Sequence, residues 1–499
     1  MKNKLLNFTV IFLILGFVVF LIAAAQKSGF NFDASYNLLS YQSLARGTGF
    51  NYQYGAKITP FNPPISTGPE LYAPAAVIWK LTGRADYFTA TYMLIAYFIA
   101  FLAFAAFFFF KNPKGRLIFI ASFLVLFFLN KKIFDHQLHI DPIGEILSAC
   151  LAFTGLYFLH KKKLLPSFIL FGLALDAKTN IIVALIPVLF LFIFTNYLLP
   201  LIRRKKYKTA AAKAVRIFLL SFIILLPYLA YAKVAPALLL NDHEKMIRRA
   251  AEEKWFKHQK TRGLGQVLKL VYEPSGQSAV QYFKTTGEKI LILKDLYPGG
   301  YLMLLVIALS FPVFLLLSRG HFTFHAFLFA GFFLLWWLFG TADPWYRYLF
   351  IPELIYSLAI AALLPELAAK KRKNKLLLAA VLTAVIFIPQ GSLASISQRF
   401  DSQSRENMLL TKELIRPIPQ EQIFTYGWFQ APQLMILSGK RFMDYQDARE
   451  LEKAKEKYDK LYFLATIENT LIQEEMDQIA PKLKLIKAYG YNKLYLIEK

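Results

Sequence analysis

The chain has 499 residues, 56% of them hydrophobic and 16% aromatic, with a mean hydropathy of +0.41. Soluble domains are nearer half apolar and cannot hide repeated apolar runs of spanning length, so this composition describes a polytopic membrane protein. The net charge of +26 does not point to nucleic acid, because no polar domain carries a basic patch interleaved with aromatics. The single cysteine, Cys150, lies in an apolar run, which excludes a disulfide framework and a cysteine metal site.

Apolar runs of spanning length fall at about 5–25, 87–110, 117–133, 143–159, 164–177, 180–202, 216–233, 299–317, 322–340, 348–364 and 376–390. They predict a mostly α protein with about eleven transmembrane helices. The first run has a basic start and ends Ala23-Ala24-Ala25, but it is longer than the apolar core of a signal peptide, so an uncleaved span is expected. The basic clusters Lys111–Arg116, Lys161–Lys163, Arg203–Lys208 and Lys370–Lys375 separate the runs. Lysines in Met1-Lys2-Asn3-Lys4 place the N-terminus in the cytoplasm, and alternation then puts every one of those clusters inside. The outer side receives loops 26–86 and 235–298, the segments around 135–141, 176–180 and 340–347, and everything after residue 390.

Two units follow, a transmembrane unit over 1–390 and a small extracytoplasmic α/β domain over 391–499. In the second, Ile423–Tyr426, Phe442–Tyr445, Leu461–Ala465 and Lys493–Ile497 read as strands. Helices are expected near 431–437, 447–458 and 470–483, and strands alternating with helices predict a mainly parallel sheet. It carries no phosphate-loop signature; a lid, a docking surface and simple support are all open. Within 235–298, Asn241–Phe256 reads either as an interfacial amphipathic helix or as a solvated one.

Three groups of residues suit chemistry. Asp33 stands a few residues outside the first span, either as a general base or as the N-cap of the amphipathic stretch that follows. Asp135, His136, His139, Asp141 and Glu145 form a second outer group. Its i, i+4 pairs could orient an acceptor or hold a divalent metal, although the spacing matches no sharp metal motif. Lys57, Lys178 and Arg347 are outer cations, fitted either to a phosphate or to lipid head groups by snorkelling.

The order of these features resembles the GT-C class of membrane glycosyltransferases, and within it the protein O-mannosyltransferase and aminoarabinose-transferase-like group. The resemblance covers roughly residues 1–390. It rests on the first-loop Asp33, Arg46-Gly47-Thr48-Gly49, Pro63-Pro64 and Gly68-Pro69, Gly144-Glu145, Leu175–Asn180 and Trp345–Pro352. It implies transfer of a sugar from a polyprenyl-phosphate donor to a glycan, lipid or protein acceptor on the outer face, in a bacterial plasma membrane. Asp33 matches the first-loop aspartate of the class, proposed there as the base or the acceptor-orienting residue; Ala34 stands where an Asp-Glu pair often continues. Asp141 or Asp135 matches the second acidic position, and Lys57, Lys178 and Arg347 would hold the carrier phosphate. The competing readings are a transporter or flippase of lipid-linked saccharides, which calls for ionisable residues at mid-depth, and an oligosaccharide ligase or polymerase.

Overall fold

The structure is a computed structural model that describes residues 2–27, 30, 32–54, 57–60, 69–83, 86–130, 144–247, 279–296, 300–340, 346–388, 402–425, 430–445, 448–466 and 483–498. Every apolar run becomes a helix. The helices are α1 (Lys2–Lys27), α2 (Phe32–Ala45), α3 (Pro69–Thr82), α4 (Phe88–Phe104), α5 (Pro113–Leu129), α6 (Glu145–His160), α7 (Leu164–Ala177) and α8 (Ile182–Ile193). They continue with α9 (Tyr207–Ser221), α10 (Ala279–Leu296), α11 (Gly300–Leu317), α12 (Thr323–Gly340), α13 (Phe350–Ala369) and α14 (Lys373–Phe387). Among the described residues, 6 helical segments are long and apolar enough to cross a membrane, and Glu145–His160, Leu164–Ala177 and Thr323–Phe339 are shorter apolar helices.

Burial explains why this is an integral, multi-pass membrane protein. In α1, Val10, Ile14, Phe17 and Leu21 recur at helical spacing and are buried, while Leu5, Phe8, Phe12, Leu15 and Val19 cover the other side and are exposed. A helix apolar on both faces cannot sit in water, and lipid is the partner for the second face. Rings hold the inner face: Phe17 meets Phe127 edge-on at 5.1 Å and Phe98 at 5.9 Å. Helix α13 is the axis, with 78% of its apolar window buried, and it packs on α5, α6, α12 and α14. Small residues let α6 and α7 approach closely, as expected between helices in lipid. A Cβ on Gly155 would lie 2.5 Å from the ring of Phe171, and the Ser167 hydroxyl donates to the Gly155 carbonyl at 2.9 Å.

Between α1 and α4, α2 leads into an antiparallel hairpin of β1 (Asn51–Tyr54) and β2 (Lys57–Pro60), then α3. The sequence reading anticipated α2 but neither the hairpin, α3 nor α10. Residues 248–256 of the anticipated charged helix lie outside the described residues; 242–247 are helical.

After α14 come α15 (Ser402–Ile415), β3 (Ile423–Thr425), α16 (Gln430–Ser438), β4 (Met443–Asp444), α17 (Ala448–Lys457), β5 (Leu461–Ala465), β6 (Leu483–Tyr489) and β7 (Asn492–Ile497). Strand order is β4-β3-β5-β7-β6. The expected mainly parallel sheet is mixed: β3 runs parallel to β4 and β5, and β7 runs antiparallel to β5 and β6. The cause is the two-residue turn Gly490-Tyr491, which joins β6 to β7 and permits only antiparallel pairing. Leu483, expected at the end of a helix, opens β6; residues 467–482 lie outside the described residues. The period-2 alternation sorts the sheet's faces. Leu461, Phe463 and Ala465 pack with Ala454 of α17, while Leu464 joins the main core.

Candidate active site

The site lies where α2, α3, α6 and α7 end on one face of the bundle. Helix α3 begins with Pro69, suited to a first helical position, and Glu70 follows in the first turn, where the helix dipole favours an acid. Both Glu70 carboxyl oxygens are buried and lack a hydrogen-bond partner among the described residues, as does Asp176 Oδ1 at the end of α7. The two carboxyls are close enough to perturb each other. Burial first, then the charge of Asp176, pushes Glu70 up to about 8. Two acids so placed share a proton more readily than they carry two charges.

Aromatic residues enclose this pair. Tyr97 donates to the Glu70 backbone carbonyl at 3.1 Å. Tyr41 of α2 donates to the Tyr231 hydroxyl at 3.4 Å and stacks on Tyr72 of α3 at 5.4 Å. Buried carboxylates with unsatisfied oxygens cost stability, so their presence among these rings marks a candidate site.

A third acid stands on the same ends. Gly144 takes the left-handed conformation that starts α6, and Glu145 follows at 2% exposure. The Ser148 hydroxyl donates to the Ala174 carbonyl at 2.8 Å, locking the ends of α6 and α7 together. Lys178, extended just after α7, then meets Glu145 Oε1 at 2.7 Å, while Glu145 Oε2 stays without a hydrogen bond. The tertiary structure thus brings Lys178, nominated as a phosphate contact, onto Glu145, nominated as an acceptor or metal position.

The other nominated residues are less fully described. Asp33 lies in the first turn of α2, Lys57 opens β2, and Arg347 falls in the 3-10 turn Tyr346–Leu349 just before α13. The side chains of Asp33, Lys57 and Arg347 lie outside the described residues, as do Asp135, His136, His139 and Asp141 altogether. Among the described residues no group of three or more His, Cys, Asp or Glu converges as a metal site. Glu70 and Asp176 are the acids that sequence reading passed over. Asp176 had a signal, an acid inside the otherwise apolar run Leu164–Ala177. Glu70 had none, because its burial comes from the chain packed over it.

Specific hydrogen bonds tie down the segments around α2. Asn51 donates through Nδ2 to Glu244, and Asn241 and Glu244 cap one another reciprocally at 2.9 Å in both directions. From the C-terminal region, Gln433 donates to the Phe30 carbonyl at 3.3 Å and Arg441 to the Ser43 hydroxyl at 3.1 Å. Helix α16 therefore seats on α2.

In the same half of the bundle, a cavity of about 500 Å³ opens between α10, α11, α12, α13 and α14. Its walls are apolar side chains such as Leu304, Phe311, Leu335 and Phe387, with Asn130 and Glu353 among the few polar groups.

The fold is similar to that of solved ArnT structures. Two solved structures carry the likeness. ArnT from Cupriavidus metallidurans in the apo state superposes with a TM-score of 0.57 at 9% identity, covering 98% of both chains. ArnT from the same organism bound to undecaprenyl phosphate gives 0.54 at 11%, covering 97% of both chains. No family model matches the sequence, and no curated protein does.

Proposed function

We propose that the protein transfers a sugar from a polyprenyl-phosphate carrier to an acceptor at the face bearing Glu70, Asp176, Glu145 and Lys178. The observation that carries this reading is the close, buried acid pair Glu70 and Asp176 beside the Glu145–Lys178 ion pair, within an ArnT-like fold. In the proposed reaction the acceptor's nucleophile bonds to the anomeric carbon, the sugar–phosphate bond breaks, and the phosphate leaves on its lipid. Phosphate departs without an acid, so a base for the acceptor and cations for the developing charge suffice.

Asp33 is the proposed base, with Asp141 or Asp135 as the second acid. Lys178, Lys57 and Arg347 are the proposed phosphate contacts. Lys178 would exchange part of its bond to Glu145 for phosphate, a like-for-like trade that costs little desolvation because the lysine is already partly dry. The apolar cavity beside α13 suits a prenyl chain. Among the described residues Glu70 and Asp176 bring together two carboxylates, an incomplete shell for a divalent metal, and no step of the proposed reaction runs through one. The domain over 391–499 is proposed to face the same side as the site, since α16 seats on α2.

The test is reconstitution with a polyprenyl-phosphate sugar and a measurement of released carrier phosphate. Asp33→Asn, Glu70→Gln and Lys178→Ala are each expected to lower turnover at least a hundredfold, about the contribution of one charge-stabilising or acid–base group. Turnover unaffected by all three would remove this face from the chemistry. Movement of intact donor across the bilayer, with no phosphate released, would favour a flippase instead.

A further inference from the structure

The opposite ends of the same helices are built differently. Turns at 110–116, 161–163 and 366–373 meet there: Phe109 stacks on Tyr157 at 4.0 Å, and a Cβ on Gly115 would lie 3.7 Å from Pro365. The turn at 318–321 joins them through His321, 4.0 Å from Glu366, and Phe322, 5.2 Å from Tyr157. The turn at 203–206 follows, because α8 runs from the acid face toward this one and Phe192 packs on His325 at 5.2 Å.

Left-handed backbone conformation separates the two faces. Among the described residues the non-glycines with positive φ are Lys162 (59°), Lys205 (54°) and Lys371 (52°), and all three sit in these turns. Each occupies the position just past a helix where glycine is the ordinary occupant, because an L side chain crowds the following carbonyl there. The hydrogen bonds are those of the Schellman motif. Lys163 N–H donates to the Phe158 carbonyl at 3.0 Å and Lys162 N–H to Leu159 at 2.8 Å. Lys206 with Lys205, and Arg372 with Lys371, repeat the pattern. Away from this face the positive-φ positions are glycines, such as Gly47, Gly83, Gly144 and Gly439. Here only the turn at Gly320 uses glycine.

Lysine thus stands three times where glycine is the ordinary occupant. Sidedness in the membrane does not need it there, because Lys161, Lys163, Arg204 and Lys370 already supply the charge. Lys162, Lys205 and Lys371 are exposed and make no side-chain ion pair or hydrogen bond among the described residues. The one acid on these turns, Glu366, is occupied by Lys370.

We propose that Lys162, Lys205 and Lys371, held outward by their left-handed turns, form a docking surface for anionic phospholipid head groups of the leaflet opposite the acid site. Charge complementarity and position select this partner: Lys205 joins two candidate membrane spans, Lys371 follows the end of a third, and Lys162 joins two shorter apolar helices, which sets the turns at head-group depth.

The experiment places the full-length protein in vesicles containing spin-labelled phosphatidylglycerol or phosphatidylcholine and measures the motionally restricted fraction of each. Wild type is expected to prefer phosphatidylglycerol, with a preference that salt weakens. The triple variant K162G/K205G/K371G is expected to lose about fivefold or more of that preference, with a thermal midpoint in neutral micelles equal to or above wild type. Should the glycine variant fail to fold, Lys→Asn at the three positions tolerates the same backbone and removes the charge. If the lysines serve only the helix dipoles, the glycine variant will be less stable in neutral micelles and its lipid preference unchanged, which overturns the proposal. Displacement of the labelled lipid by millimolar inorganic phosphate would overturn it as well, because the surface would then be a free-anion site.

Discussion

The two ends of this helix bundle use charge in opposite ways. At one end Glu70, Asp176 and Glu145 are withdrawn from solvent, and their single described cationic partner is Lys178. At the other, lysines and arginines stand exposed on short turns, with Glu366 the one acid on them. Buried charge is expensive and exposed charge is nearly free, so the acid end stores free energy that a ligand can release, whereas the basic end sits in its preferred medium. The same helices thus carry buried acids on one face and exposed cations on the other.

The comparison breaks most readily at Lys178. Lys178→Ala strands Glu145 as an unpaired buried carboxylate and should cost about 3–5 kcal/mol, read as a lower thermal midpoint in detergent. The double variant with Glu145→Ala should recover most of that loss; equal loss in both would mean the pair contributes nothing as a pair.

Glu70 sharpens the contrast through pH. With its folded value raised to about 8, the folded protein keeps a proton that the unfolded chain loses near the ordinary carboxylate value. Wild-type stability from this group is therefore fully present below the ordinary value and lost as pH rises to about 8. Glu70→Gln should match wild type in acid and exceed it at pH 8 by on the order of 2 kcal/mol. A difference in thermal midpoint that does not grow with pH would contradict the buried acid pair.

Smaller effects follow. Gly155→Ala drives a methyl into the Phe171 ring and should destabilise by about 1–3 kcal/mol, loosening the α6–α7 hairpin that links the two faces. Lys162→Gly relieves an unfavourable backbone conformation and should raise the midpoint in neutral micelles by the equivalent of about 0.5 kcal/mol. Where Gly155→Ala left the midpoint alone, the close helix contact would carry no weight; where Lys162→Gly lowered it, the turn would need its cation.

Much of the fold was legible because lipid imposes long, uniform apolar runs. Each run became a helix, and in the C-terminal region β3, α16, β4, α17, β5 and β7 fell where alternation and turn residues placed them. Strand β6 escaped because it lies at the sheet edge, pairs only with β7 and buries little, so alternation of apolar residues marks it weakly. Of the site, Lys178 and Glu145 were singled out for separate roles. Their contact depends on α6 and α7 packing close enough for Ser148 to reach Ala174, a matter of small side chains rather than of periodicity.

Sequence by itself determined that the chain is helical, membrane-bound and basic between its spans, because these follow from the free energy of placing apolar and charged groups residue by residue. Only the tertiary structure decided which carboxylates are buried together, since Glu70 and Asp176 meet through α3 and α7, distant in sequence. It alone revealed the lysines in left-handed turns as well. Proximity of distant acids and the sign of a backbone angle are properties of closed packing, and no local pattern encodes them.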